Sequence, residues 1–124
     1  MILAIVIALA GSPDVDRMVQ SIEAVENSPW TSPGGALQFK RDTWVQETKL
    51  PYEKTRNREI ARRTAATMIS RYVHRLNALG IAPTPYLLGS IWNKGWTGAL
   101  RLHREGLHDE YGERVHNYFH AHTR

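Results

Sequence analysis

From Arg56 to Leu79 the chain places apolar residues at Ile60, Ala61, Ala65, Met68, Ile69, Tyr72, Leu76 and Leu79. That three-and-four spacing becomes one continuous stripe only on an α-helix. Arg58, Arg62, Arg63 and Arg75 fall largely on its flanks, and Gly80 is a natural stop. So broad an apolar face on so long a helix reads as the central support of a domain. Shorter helices are predicted around it. Asp14 is placed to cap a first helix running to about Glu26, on which Val15, Met18, Val19, Ile22 and Val25 share a face and Asp16 adds acidic character to the first turn. Asn27-Ser28-Pro29-Trp30 stops it. Residues 29–35 read as loop, and Gln38 to about Glu47 as a short helix carrying Phe39, Thr43 and Trp44, broken at Pro51-Tyr52. Thr84 and Pro85 fit the cap and first position of a helix ending near Gly95, with Tyr86, Leu87, Leu88, Ile91 and Trp92 facing inward. A short element around Ala99-Leu100-Leu102 and a last helix from about Asp109 to His120 complete the reading. No run shows sustained strand alternation, so the predicted class is all-α, one compact domain without internal repeats.

At 124 residues the chain has room for one modest core. The domain is assigned to residues 13–124. The opening Met1 to Ala10 looks like the apolar core of a signal peptide with small residues near Ala8 to Ala10, too short to span a bilayer as a helix. No Lys or Arg precedes it, and a short buried first segment, within residues 1–12, is the other reading. Cysteine is absent, which excludes disulfides and thiolate chemistry. The net charge of +4 is concentrated in residues 39–75, where ten Lys or Arg face four acids (Asp42, Glu47, Glu53 and Glu59). Such a basic face attracts polyanions: nucleic acid, an anionic lipid surface or an acidic cell-wall polymer.

Within this frame the groups able to do chemistry are few. Cleaving a glycosidic bond requires a carboxylic acid that is protonated beside the leaving oxygen, and apolar surroundings favour that form. Glu26, at the end of an amphipathic helix and before a forced turn, is the candidate acid. Gly34-Gly35-Ala36-Leu37-Gln38 follows, with glycines that allow close backbone approach and an amide able to donate to and accept from a sugar. Ser32 is within loop reach of Glu26, and Asn93 sits at a helix end between Trp92 and Gly95. Of the four indoles, Trp30, Trp44, Trp92 and Trp96, two are expected in the core and one or two along a cleft, where a flat aromatic stacks on a pyranose. The six histidines offer one i, i+4 pair, His116 and His120, without the acid of a zinc-binding His-Glu-x-x-His helix. No metal or other cofactor is therefore expected, and no P-loop, dinucleotide fingerprint or nucleophile elbow is present.

Taken in order, four segments over roughly residues 17–118 resemble the soluble lytic transglycosylase and goose-type lysozyme group of peptidoglycan-cleaving domains. Ile22-Glu23-Ala24-Val25-Glu26-Asn27-Ser28 is similar to that family's helix ending in a catalytic Glu, which places the acid at Glu26 rather than Glu23. Gly35-Ala36-Leu37-Gln38-Phe39, with Thr43-Trp44 beyond it, resembles the Gly-Leu-Met-Gln segment. Tyr86 to Gly95 resembles the segment ending in Tyr-Asn-x-Gly, and Tyr111 to Val115 the late tyrosine-bearing helix. The chain departs from the pattern in having Asn27 after the acid, a short loop from Glu26 to Gln38, and Lys94 where a small residue is usual.

The resemblance implies a lysozyme-like fold, Glu26 as catalytic acid, and Ser32, Gln38, Trp92, Asn93 and Tyr111 as substrate-binding residues. It implies cleavage between N-acetylmuramic acid and N-acetylglucosamine by one carboxyl group, giving a 1,6-anhydro end; hydrolysis by the same acid is the alternative, with Asp42 and Glu47 as candidate second acids. The implied partner is peptidoglycan, met by a monomer in the periplasm, the cell envelope or outside the cell, with weak polyanion binding and no stable membrane insertion. The rival from another class is a basic helical nucleic-acid-binding module, supported by the excess of six positive charges in residues 39–75.

Overall fold

The Asp14 carboxylate accepts the Arg17 N–H at 3.1 Å and opens helix α1 (Val15–Glu26), satisfying one of the donors that a first turn leaves unpaired. The computed structural model describes residues 13–121, so the expectations for residues 1–12 lie outside the described residues. Five further α-helices follow: α2 (Arg41–Thr48), α3 (Arg58–Ala78), α4 (Pro85–Lys94), α5 (Trp96–Glu105) and α6 (Glu110–Ala121), with a 3-10 turn at Tyr52–Arg56 before α3. No strand occurs among the described residues, and none of their helices is long and apolar enough to cross a membrane. The fold class is all-α.

The long helix packs its apolar stripe into the core, with small shifts in which residues it buries. Ala61, Ala65, Met68, Ile69, Val73 and Leu76 are buried along α3, whereas Leu79, past the last turn, is 60% exposed. Met18, Val19 and Ile22 of α1 pack into the same core with Leu37, Phe39, Trp44, and Leu87, Leu88 and Ile91 of α4. Trp44 is fully buried, and its indole N–H donates to the Leu50 and Pro51 carbonyls. The polar handle of a buried indole needs such a partner. Phe39 stands edge-on between Trp44 and Trp92, 4.8 and 5.2 Å from their ring centroids, and so links this core to the groove described below.

Helix α1 ends at Glu26, as read from the sequence: Asn27, in the left-handed region at φ 50°, returns its N–H to the Glu23 carbonyl. Asn tolerates that conformation better than most residues. Other boundaries differ from the sequence reading. The segment read as a helix from Gln38 begins only at Arg41, because Gln38 itself has φ 54° and closes a run of turns. The element expected around Ala99 to Leu102 is a ten-residue helix, α5. Helices α4 and α6 come close at Gly112, where an added Cβ would stand 2.6 Å from the Tyr86 carbonyl oxygen; only glycine permits that approach.

Candidate active site

Three stretches of chain converge on a groove of about 490 Å³. The end of α1 contributes Glu26, the loop and α2 contribute Gln38, Phe39, Lys40 and Thr43, and the end of α4 contributes Ile91 to Gly95. Pro33 of the loop, Met68 and Tyr72 of α3, and Tyr52 of the 3-10 turn complete the lining. Glu26, Gln38, Trp92 and Asn93 therefore share one groove.

Glu26 is half-buried and its carboxylate is held from across the fold. The Tyr111 hydroxyl, on the first turn of α6, donates to Glu26 Oε2 at 2.6 Å. Burial, and then the hydrogen bond and charge of Glu26, push the Tyr111 phenol well above its ordinary value of 10.0. It therefore keeps its proton over the whole neutral range and remains the donor of the pair. Glu26 Oε1 has no hydrogen bond within the described residues, which leaves one oxygen of the acid able to exchange a proton with a ligand. Arg114, on the same helix as Tyr111, donates to the Val25 carbonyl at 3.1 Å and fastens α6 against the end of α1.

Other carboxylates are committed elsewhere. Arg62 grips Glu23 through both oxygens at 3.0 Å, and Arg71 grips Glu47 at 2.8 and 2.7 Å. Asp42 is exposed and does not line the groove. A second hollow of about 550 Å³ lies beside the end of α1, walled by Glu23, Asn27, Ser28, Trp30 and Tyr118. Its one carboxylate is the Glu23 that Arg62 neutralises, so it offers no free acid.

The amides behave differently from each other. Gln38 Nε2 donates to the Gly35 carbonyl at 2.8 Å and to Pro33 at 3.2 Å, so its donors hold the loop and its carbonyl oxygen is what remains for a ligand. The close approach expected at Gly35 is to the protein's own backbone: an added Cβ would lie 2.0 Å from the Thr55 carbonyl. Asn93 is half-buried in the groove wall without a side-chain hydrogen bond among the described residues; Gly95, not Asn93, caps α4. Ser32 makes no hydrogen bond to Glu26, and its backbone instead builds the turn through Pro29 and Gly35.

Among the indoles, Trp44 is core and Trp92 walls the groove. Trp30 and Trp96 are half-buried under arginines, with Arg62 5.3 Å from the Trp30 centroid and Arg75 3.8 Å from that of Trp96. Tyr52 and Tyr72 are groove residues that sequence reading missed, since a lone tyrosine carries no local signal of the cavity it faces. The His116 and His120 rings lie 4.4 Å apart between centroids, tilted 58° to each other, and the described residues contain no group of three His, Cys, Asp or Glu side chains able to hold a metal.

Comparison with protein-family models, with curated proteins and with solved structures gives no match to this chain.

Proposed function

We propose that this chain is a lysozyme-like lytic transglycosylase domain, cleaving the β-1,4 bond between N-acetylmuramic acid and N-acetylglucosamine in peptidoglycan. The observation that carries the reading is the 2.6 Å hydrogen bond from Tyr111 to Glu26, across 85 residues of chain. It joins the two segments, a helix ending in Glu and a late tyrosine helix, whose order underlies the family resemblance. The all-α class agrees with it.

In the proposed reaction Glu26, protonated, gives its proton to the glycosidic oxygen as the bond to the muramyl C1 breaks. Tyr111 holds Oε2 throughout, so the proton leaves and returns through Oε1. The carboxylate then takes the proton of the muramyl 6-hydroxyl as that oxygen closes on C1, which regenerates the acid without consuming water. Phe39, Trp92 and Tyr72 supply aromatic surface for sugar rings, and Asn93 and the Gln38 carbonyl supply polar contacts. One carboxylate suffices for this chemistry. Glu26 is the carboxylate of the groove among the described residues, which favours the anhydro product over a hydrolysis that uses a second acid. The site of action implied is the cell envelope.

The mass of the products tests the reading. Wild-type protein incubated with purified peptidoglycan should release 1,6-anhydromuropeptides; reducing muropeptides, heavier by one water, would make it a lysozyme, and no muropeptide release would overturn both.

A further inference from the structure

The end of α4 and the start of α6 are joined by an ion pair that takes no direct part in the proposed proton transfers. Lys94 Nζ lies 2.9 Å from Asp109 Oδ1, with the lysine side chain 37% exposed and the aspartate 2%. Burial pushes the Asp109 carboxyl up, and Lys94, Ser90 and the Gly112 N–H outweigh it, holding the group below its ordinary range. Oδ2 nevertheless lacks a hydrogen bond of good geometry, so Lys94 is the partner that keeps this buried charge tolerable. Lys94 is also one of the positions at which the chain departs from the pattern of the family it resembles.

Asp109 is where α6 begins. Its carbonyl accepts the Glu113 N–H at 3.0 Å, its N–H donates to the Tyr86 hydroxyl, and Tyr111 follows two residues later. A helix turns about 100° per residue, so the phase in which it starts decides where a first-turn side chain points. On the other side of the pair, Lys94 itself lines the groove beside Asn93. We propose that Lys94 and Asp109 are positioning residues whose pairing sets the start of α6 against the end of α4, and thereby aims the Tyr111 hydroxyl at Glu26. Its kinetic consequence rests on the peptidoglycan-cleaving reading; its geometric consequence does not.

The test changes both partners together, Lys94→Met with Asp109→Asn, so that no lone charge is left buried, and uses Lys94→Arg as the conservative variant. On peptidoglycan the double change should lower kcat about tenfold and change KM less than kcat, and Lys94→Arg, which keeps a positive charge opposite Asp109, should lose much less turnover than the double change. In a Tyr111→Phe background the double change should cost less than about twofold more, because residues acting through one group are not additive. A purely structural role would give additive losses, and additive losses would overturn the proposal. A second readout needs no activity: 3-fluorotyrosine at position 111, followed by fluorine NMR, should shift on Glu26→Gln and shift in the same sense on the double change. An unmoved resonance in the double variant overturns the coupling. If the wild type releases no muropeptides, the proposed reaction fails and the kinetic role with it, while the fluorine resonance still decides whether the pair aims Tyr111.

Discussion

Arg62 holds both carboxylate oxygens of Glu23 at 3.0 Å, one helical turn before Glu26. The two acids at the end of α1 are thereby divided: one is neutralised across the fold by a guanidinium, the other meets a phenol and the groove. Glu26→Gln should reduce muropeptide release at least about a hundredfold, within the range that removal of a general acid costs, while the melting temperature changes little. Glu23→Gln should leave turnover within about threefold of wild type and cost about 0–1 kcal/mol, the scale of a solvent-screened pair. Equal activity in wild type and Glu26→Gln would remove Glu26 from the chemistry.

Tyr111→Phe keeps the ring and deletes the donor to Glu26. Turnover should fall about tenfold or more, with stability lowered by about 1 kcal/mol, the usual net worth of one hydrogen bond. The raised phenol also makes a pH prediction. In the folded state the tyrosine keeps its proton above pH 10.0, where the unfolded chain loses it. The contribution of Tyr111 to stability is therefore fully present below that pH and declines as pH rises above it. Melting curves between pH 8 and 11 should fall less steeply at the alkaline end for Tyr111→Phe than for wild type; parallel curves would deny the shift.

Asn93 and Gln38 separate binding from stability. Asn93→Ala should raise KM for glycan strands and leave the melting temperature within about 1–2 °C, as expected for a side chain without hydrogen bonds among the described residues. Gln38→Ala should do both, because it deletes two loop hydrogen bonds, at about 1–2 kcal/mol. Calorimetry and initial rates on the two variants distinguish these patterns.

The basic face allows a salt test. Arg62, Arg63 and Arg71 are paired with Glu23, Glu59 and Glu47, so fewer positive charges are available to phosphates than the sequence suggests. DNA binding should be sequence-independent and vanish by about 150 mM salt. Retention of one duplex over a scrambled competitor at that salt, with no muropeptide release, would favour the nucleic-acid reading.

Acid titration probes the buried carboxylate. Asp109 is held below its ordinary 3.8, so its stabilising contribution is present above that pH and is lost as pH falls through the folded value. Wild type should therefore lose stability below about pH 4 more steeply than the Lys94→Met, Asp109→Asn protein. Equal slopes in acid melting curves would show that the pair contributes nothing.

The sequence by itself determined most of the helices, because their signals are local. The stripe on α3, the Asp14 cap, the Thr84-Pro85 start and the position of Glu26 at a helix end all depend on residues within a few positions of one another. Only the tertiary structure decided which of these groups are free to act. Arg62 reaches Glu23 over 39 residues, Arg71 reaches Glu47 over 24, and Tyr111 reaches Glu26 over 85, distances at which no spacing rule operates. Gln38 lost its donors to its own loop because a positive φ turns its amide back on Gly35. Asp109, unremarkable in sequence, became a buried charge because packing brought Lys94 to it. Periodicity reports which face a helix buries; the partner of a charge is settled by what is packed against that face.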